Sequence, residues 1–298
     1  MSPGAAPMRS PIVDASATKE IADGVWVIPD DERIPFVPNI GVVVGKRATL
    51  VIDTGFGPDN ARAVLEAARM LGQGRPIFLT HTHCHPEHGF GANAIADEVT
   101  IVCNEAQWSE LEEKGAAILT MFKRQMPTLA PMLEGVAFVR PDLRYAGALT
   151  LDLGEGQVVE LHEVGGAHSR GDQAIFVRSS SSVLFVGDLI EERHFGVIAD
   201  DESQVAPWID RLKQFQVLHP EIVVPGHGHI GGPKLISDYR RQFEYARRRV
   251  GELRTSGELS EAAIVDRVTG ELIELHPGWA GPEWARKTVT SLTWPSRA

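Results

Sequence analysis

His81-Thr82-His83-Cys84-His85-Pro86-Glu87-His88 sets four imidazoles and a carboxylate within eight residues. A single histidine is ordinarily a core or surface side chain with a local hydrogen bond. Four so close together, with an acid, would repel one another if protonated, and a cation gives them a shared reason to converge. The register His83-x-His85-x-Glu87-His88 accounts for the spacing. On an extended segment, residues two apart point to the same side, so His83 and His85 can hold one cation. Pro86 and Gly89 permit a sharp turn into a helix, which swings Glu87 and His88 toward a second cation. A register beginning at His81 would put Pro86 where the last histidine must stand. His81 and Cys84 are therefore read as structural, with Cys84 pointing opposite to its neighbours.

The flanks alternate short β-rich runs with helical patterns. Val25–Ile28, Ile40–Val44 and Thr49–Ile52 read as strands, with a tight connection at Gly45-Lys46-Arg47. Asp59 to Leu71 has apolar residues at helical spacing, and Ile77-Phe78-Leu79 is a buried strand leading into the histidine run. A strand at Thr100–Val102 and a helix from about Asn104 to Lys114 follow. Ala116 to Leu133 carries Met121, Met126 and Met132 with Pro127 and Pro131, and fits no regular element; it is either a pocket wall or a packing excursion. Val136–Val139, Leu149–Leu153, Val158–Val164, Ala174–Arg178 and Val183–Val186 read as further strands, then a helix at Pro207–Val217 and a strand at Glu221–Val224. The expected organisation is a partly disordered tail over residues 1–20, a domain over 21–232, and a helical C-terminal extension over 233–298 containing Trp279, Trp284 and Trp294.

With 298 residues, 43% hydrophobic and 23% charged, the chain can bury a sizeable core. No apolar run reaches the roughly 18–20 residues of a membrane span, and no secretory apolar block precedes residue 18. The net charge of −11 speaks against nucleic acid as a partner. Arg240, Arg241, Arg247, Arg248 and Arg249 form the one arginine-rich run, and a solvated helix face explains it. Cys84 and Cys103 make no disulfide framework, which fits a cytoplasmic setting. The expected partner is a small-molecule substrate, with a homodimer as a further expectation.

The segment Thr82 to Gly91 resembles the T-H-x-H-x-D-H-x-G-G signature of the metallo-β-lactamase superfamily. Val51-Ile52-Asp53-Thr54-Gly55, Gly165-Gly166-Ala167-His168-Ser169-Arg170-Gly171-Asp172, Phe185-Val186-Gly187-Asp188 and Val224-Pro225-Gly226-His227-Gly228 are similar to that family's later motifs, in the same order. The resemblance spans about residues 24 to 232 and implies an α/β fold of the αββα sandwich type. It implies two metal ions, zinc first and iron or manganese as alternatives. His83, His85 and His168 would bind one, Glu87, His88 and His227 the other, with Asp188 bridging and Asp53 orienting a ligand from behind. Asp172 would serve either the site or a turn. Two residues depart from the pattern. Glu87 stands where the family has Asp, its extra methylene moving the carboxylate by roughly 1.5 Å. Phe90 replaces a glycine, which changes the packing behind the site.

The resemblance implies a hydrolase in which a hydroxide between the metals attacks a small ester, lactone, thioester or amide, with Asp188 and Glu87 as the catalytic carboxylates. Family β-lactamases carry Cys or Ser where this chain has Asp188. The lactonases use a Tyr between the bridging Asp and the last His, and none lies between Asp188 and His227. The glyoxalase II branch also has Asp at that place and a helical C-terminal region. Three other classes compete: an iron-dependent oxidoreductase or oxygenase, a phosphodiesterase or nuclease, and a non-catalytic metal-binding protein.

Overall fold

The computed structural model describes residues 12–31, 33–198 and 203–293. The first eleven residues of the expected tail, and Trp294, lie outside the described residues. Residues 12–20 are built into the fold: the Ile12 and Val13 N–H groups donate to Asn60 Oδ1 at 2.7 and 3.0 Å, and both side chains are buried.

Among the described residues, twelve strands form two sheets. The first contains β1 (Lys19–Ala22), β2 (Val25–Ile28), β3 (Ile40–Val44), β4 (Thr49–Ile52), β5 (Ile77–Thr80), β6 (Thr100–Asn104) and β7 (Leu143–Tyr145), in that order across the sheet. It is antiparallel from β1 to β4 and parallel from β4 to β7. The second contains β8 (Ala148–Gly154), β9 (Gln157–Glu163), β10 (Gln173–Arg178), β11 (Val183–Glu191) and β12 (Ile222–His227), antiparallel except for the β11–β12 pair. Among the described residues there are seven α-helices: α1 (Pro58–Gly72), α2 (Pro86–Gly89), α3 (Glu105–Gln125), α4 (Val205–Val217), α5 (Lys234–Ser256), α6 (Glu261–Leu275) and α7 (Pro282–Thr293).

Alternation along the strands produces the layers. Leu50 and Ile52 of β4 join Ile175, Val177, Val183 and Phe185 of β10 and β11 in a core between the sheets. Their neighbours point outward. Val42 and Val51 meet Ala61, Val64, Leu65 and Ala68 of α1, and Phe176 and Leu184 meet Trp208, Ile209 and Leu212 of α4. Both sheet faces are covered, which is why these strands read as apolar runs without polar alternation. This is the αββα sandwich. α5, α6 and α7 add a core of their own around Ala246, Val250, Val268, Leu272 and Val289, and α5 ties it to the second sheet through Ile236, Tyr239 and Phe243.

Three local expectations are corrected. α3 does not stop near Lys114 but runs on to Gln125, through Gly115. A Cβ there would sit 2.9 Å from Phe138 Cζ, so the glycine that weakens the helix in isolation lets Phe138 pack against it. Val136–Val139 is not a strand; Val136, Phe138 and Val139 pack against the first outer core from an irregular segment. The methionine-rich stretch is not irregular throughout: it holds the end of α3 and a 3₁₀ turn at Ala130–Leu133. Its Phe122 lies 5.8 Å from Phe36 and 6.2 Å from Phe56 between ring centroids, and Met126 and Met132 pack on the same core.

The arginine run lies along α5. Arg241 and Arg248 are exposed, while the half-buried Arg249 pairs with Glu271 of α6 at 2.9 Å. No described helix is long and apolar enough to cross a membrane. Cys84 and Cys103 are both free and buried.

Candidate metal centre

The site lies where strand ends of both sheets converge. β4 is followed directly by Asp53, whose backbone is left-handed at φ 71°, a region that Asp and Asn tolerate better than most residues. That turn aims its carboxylate at the histidine segment. Asp53 Oδ1 accepts the Thr82 N–H at 2.7 Å, and Oδ2 accepts the Thr82 hydroxyl at 2.9 Å. Oδ2 also lies 2.9 Å from His88 Nδ1, so Nδ1 carries the proton and Nε2 points away from Asp53 into the site. Beyond β5 the chain is not a straight extended segment but bends through residues 82–85, with His85 itself in an extended conformation, and then turns into α2 with Pro86 in its first turn. This delivers Glu87 and His88 to a second position.

Seven side chains converge in two groups of four that share one member: His83, His85, His168 and Asp188, and Glu87, His88, Asp188 and His227. In each group the ligand-type atoms lie within 4.8 Å of one another. Asp188 is divided between them. Its Oδ2 is 3.8 Å from His83 Nε2 and 3.9 Å from His168 Nε2. Its Oδ1 is 3.3 Å from His88 Nε2 and 3.7 Å from His227 Nε2. Two donors each about 2.0–2.2 Å from a tetrahedral ion are separated by roughly 3.3–3.6 Å, so these gaps suit a shared cation. Gly226 makes room for the shared carboxylate: a Cβ there would lie 2.0 Å from Asp188 Oδ1.

His83 Nε2, His88 Nε2, Glu87 Oε2 and Asp188 Oδ1 are buried without a hydrogen-bond partner among the described residues. Buried polar atoms are ordinarily paired, and an unpaired one costs about 1–3 kcal/mol. Four such atoms close together, three of them in the Glu87–His88–Asp188–His227 group, fit the place of a cation. Glu87 reaches its group despite the longer side chain, because α2 holds it at its first turn.

The two groups differ in charge. Burial, then the neighbouring His88 and His85, push His83 well below the usual imidazole pKa; burial, then His85, bring His168 down to about 4. These imidazoles are neutral and ready to donate lone pairs. Burial also opposes charge on His88, but Asp188 and Asp53 overcome it and raise its pKa well above 6.5. Burial works against ionisation of Asp188 too, yet His88 and His227 hold it well below the usual carboxylate range. Burial raises Glu87, with Asp188 adding to the effect.

The remaining residues from the sequence reading fall into place. Asp172 is a turn residue that shapes the His168 loop. Its Oδ2 accepts the His168 and Ser169 N–H groups at 2.7 and 2.9 Å. Cys84 faces Glu110, away from both groups, and burial followed by that carboxylate raises its thiol well above the usual value. His81 is buried, with burial lowering its pKa to about 4. It lines a cavity of about 30 Å³ behind His83 together with Cys84, Phe90 and Phe138. Phe90, which stands where the family has a glycine, packs edge-on against Phe138 at 5.0 Å between ring centroids. His229 is 79% exposed and lies 3.4 Å from Glu192.

Several residues were not anticipated. Asp30 Oδ2 accepts the Gly228 N–H at 2.6 Å and lies 3.9 Å from His227 Nδ1. Asn39 donates to the Pro225 and Gly228 carbonyls at 3.0 and 2.9 Å, clamping the same loop. Trp208 of α4 packs 5.9 Å from the His168 ring and donates to the Leu189 carbonyl at 3.0 Å. Glu191, at the end of β11, is a further buried carboxylate, and burial followed by the charges of Asp188 and Glu87 raises its pKa well above the usual value. Two adjacent acids at Asp30 and Asp31 gave only a weak signal, and Glu191 none.

Two sheets between helices, with a histidine–carboxylate cluster at their strand ends, define the class of αββα proteins with a metal-hydrolase type of site. The profile of the metallo-beta-lactamase superfamily matches residues 33–227, and the chain belongs to that superfamily. Among solved structures it is similar to a metallo-beta-lactamase from Pontibacter korlensis, at 20% identity over 76% of this chain and 98% of that one, TM-score 0.62. The DIM-1 metallo-beta-lactamase matches at 17% identity over 77% and 96%, TM-score 0.58. The stereoselective inverting sec-alkylsulfatase Pisa1 from Pseudomonas sp. matches at 16% identity over 92% of this chain and 49% of that one, TM-score 0.69.

Proposed function

We propose that the protein is a metal-dependent hydrolase of a small ester, lactone, thioester or amide, working with two divalent cations, zinc in the first instance. His83, His85 and His168 hold one cation, Glu87, His88 and His227 the other, and Asp188 lies between them. The observation that carries this is the convergence of seven donor side chains on two points either side of Asp188, four of their atoms buried without a hydrogen-bond partner among the described residues. Such cations supply an acidified water as nucleophile and a Lewis acid for the substrate oxygen.

The chain's own part is positioning. Asp53 fixes the His88 tautomer, Asp172 fixes the loop of His168, and Asn39 fixes the loop of His227. His85 and His227 are the partly exposed members, so substrate approaches from their side. No serine or cysteine nucleophile is needed, and Cys84 is turned away with its thiol kept protonated. A sulfate ester is the second reading. It is favoured by the alkylsulfatase likeness, which extends over 92% of the chain against 76% for the Pontibacter protein.

The test is metal analysis of protein purified without chelator, followed by assay of the same sample on esters, lactones, thioesters, amides and alkyl sulfates. About two cations per chain and turnover that chelator abolishes are expected. A fully loaded protein inert on the whole panel would remove the hydrolase reading.

A further inference from the structure

Glu191 has no part in the seven-residue donor set, yet it is 6% exposed and its Oε1 finds no hydrogen-bond partner among the described residues. Its Oε2 lies 3.3 Å from His194 Nδ1. That nitrogen is 2.7 Å from the Phe195 carbonyl and so donates there, leaving Glu191 weakly held on that side.

Simple alternation would put residues three apart on opposite faces of a strand, with Glu191 turned away from Asp188. The β11–β12 ladder breaks that rule. Its register shifts between Phe185 and Gly187 and again between Gly187 and Glu191, and Glu191 then pairs with His227, itself a member of the donor set. Irregular pairing of this kind re-aims a side chain. The charges that act most on the Glu191 carboxylate are those of Asp188 and Glu87, with His88 and Asp30 next; Glu87 and His88 belong to the second group and Asp188 to both.

A buried carboxylate with an idle oxygen beside two others is unfavourable unless positive charge joins them. Resting on the two-cation reading above, we propose that Glu191 is a third carboxylate of the second half-site. It turns toward the cation held by Glu87, His88, His227 and Asp188, and biases that half toward an oxygen-preferring ion such as Mn²⁺. The first half offers three imidazoles and one shared carboxylate oxygen, a set that suits Zn²⁺. With Glu191 the second half offers three carboxylates to two imidazoles, and carboxylate-rich sites suit Mn²⁺.

The experiment uses the full chain stripped of metal, with Glu191→Gln and Glu191→Asp beside the wild type. Zn²⁺ and Mn²⁺ are added singly and in competition. Bound metal is counted after gel filtration, affinities come from calorimetry, and thermal midpoints are taken without metal. Wild type should bind two Zn²⁺ when zinc is alone, and one Mn²⁺ beside one Zn²⁺ in the mixture. Glu191→Gln should lower Mn²⁺ affinity about 10- to 100-fold, the range for groups supporting a metal site, and Zn²⁺ affinity less. Glu191→Asp keeps the charge and should recover part of the Mn²⁺ binding. Without metal, Glu191→Gln should melt no lower than wild type, since the amide keeps the shape and removes repulsion. Two cations still bound with an unchanged Mn²⁺ to Zn²⁺ ratio would overturn the role of Glu191, as would a metal-free Glu191→Gln protein melting well below wild type. Wild type saturating below two cations with either metal would instead overturn the two-cation reading itself.

Discussion

His83, His85 and His168 face one oxygen of Asp188, while Glu87, His88 and His227 face the other. The first three are imidazoles packed edge to face, with the His83 ring 4.6 Å from His85 and 4.7 Å from His168, and burial keeps His83 and His168 neutral. The second three include a carboxylate and an imidazole that holds a proton between Asp53 and Asp188. Burial disfavours charge in both halves, but the outcomes differ. In the first half it keeps the lone pairs of His83 and His168 free; in the second half the attraction between His88 and its aspartates overcomes it, leaving charges that must be rearranged before a cation enters. The first half should fill first and at lower pH, and the second should report on pH and on nearby carboxylates.

The largest effect is expected where the halves meet. Asp188→Asn keeps the shape but removes the charge shared by both. We expect a loss of at least ~10²-fold in turnover with little change in thermal midpoint, since the amide fits the same cavity. Turnover like that of the wild type would exclude a bridging role and dissolve the comparison.

Glu87→Ala separates the halves. It should lower second-cation affinity by roughly 10- to 100-fold while the first cation stays. Elemental analysis giving one cation per chain is the expected result. Equal loss of both would show that the halves are one cooperative unit. Glu87→Asp sharpens the point: α2 places the backbone for the longer side chain, so the shorter acid should bind its cation more weakly than Glu87 does.

Protons distinguish the halves without mutation. The His88 pKa is raised, so its contribution to the stability of the metal-free fold is complete below about 6.5 and is lost as pH rises through its folded value. A cation must displace that proton, so second-site affinity should rise with pH, up to about tenfold per unit below the folded pKa of His88. First-site binding should be flat at neutral pH, because His168 titrates at about 4 and His83 also lies well below its ordinary value. Calorimetry in two buffers of different ionisation enthalpy would read this as proton release with the second cation alone. Release with the first would reverse the assignment.

How much of this was written in the sequence differs between the parts. Strands buried on both faces, such as β4 and β10, announce themselves as apolar runs, and the His83–His88 spacing carries its own geometry. The terminal strands β1 and β7 of the first sheet gave no such signal: Lys19-Glu20-Ile21-Ala22 and Leu143-Arg144-Tyr145 are short and carry charge. Val136–Val139 looked like a strand because its apolar residues serve a core, but they do so from an irregular segment. Glu191 was invisible for a different reason. Its position depends on register shifts in the β11–β12 ladder, and no local pattern in one strand encodes a slip against another. Tyr239 of α5, whose buried hydroxyl has no hydrogen-bond partner among the described residues, lies outside every motif.

The smallest effect tests the outer carboxylates, where the comparison is finest. His88 and His227 both belong to the second half, and each has an aspartate behind its Nδ1. Asp53 sits 2.9 Å from His88 Nδ1, with two further hydrogen bonds to Thr82 holding it. Asp30 sits 3.9 Å from His227 Nδ1, beyond hydrogen-bond reach, and uses the same oxygen to accept the Gly228 N–H. Outer partners raise a ligand's basicity and fix its ring through the hydrogen bond, so the effect should track that bond. Asp53→Asn should cost second-site affinity about 10- to 100-fold, because the amide supports the His88 tautomer less well than a carboxylate. Asp30→Asn should cost below about tenfold, acting mainly by loosening the loop after β12. Calorimetric titration of both variants with the same cation gives the two numbers side by side. If Asp30→Asn proved as damaging as Asp53→Asn, the 3.9 Å gap would close when the cation binds, and the two histidines would be supported alike.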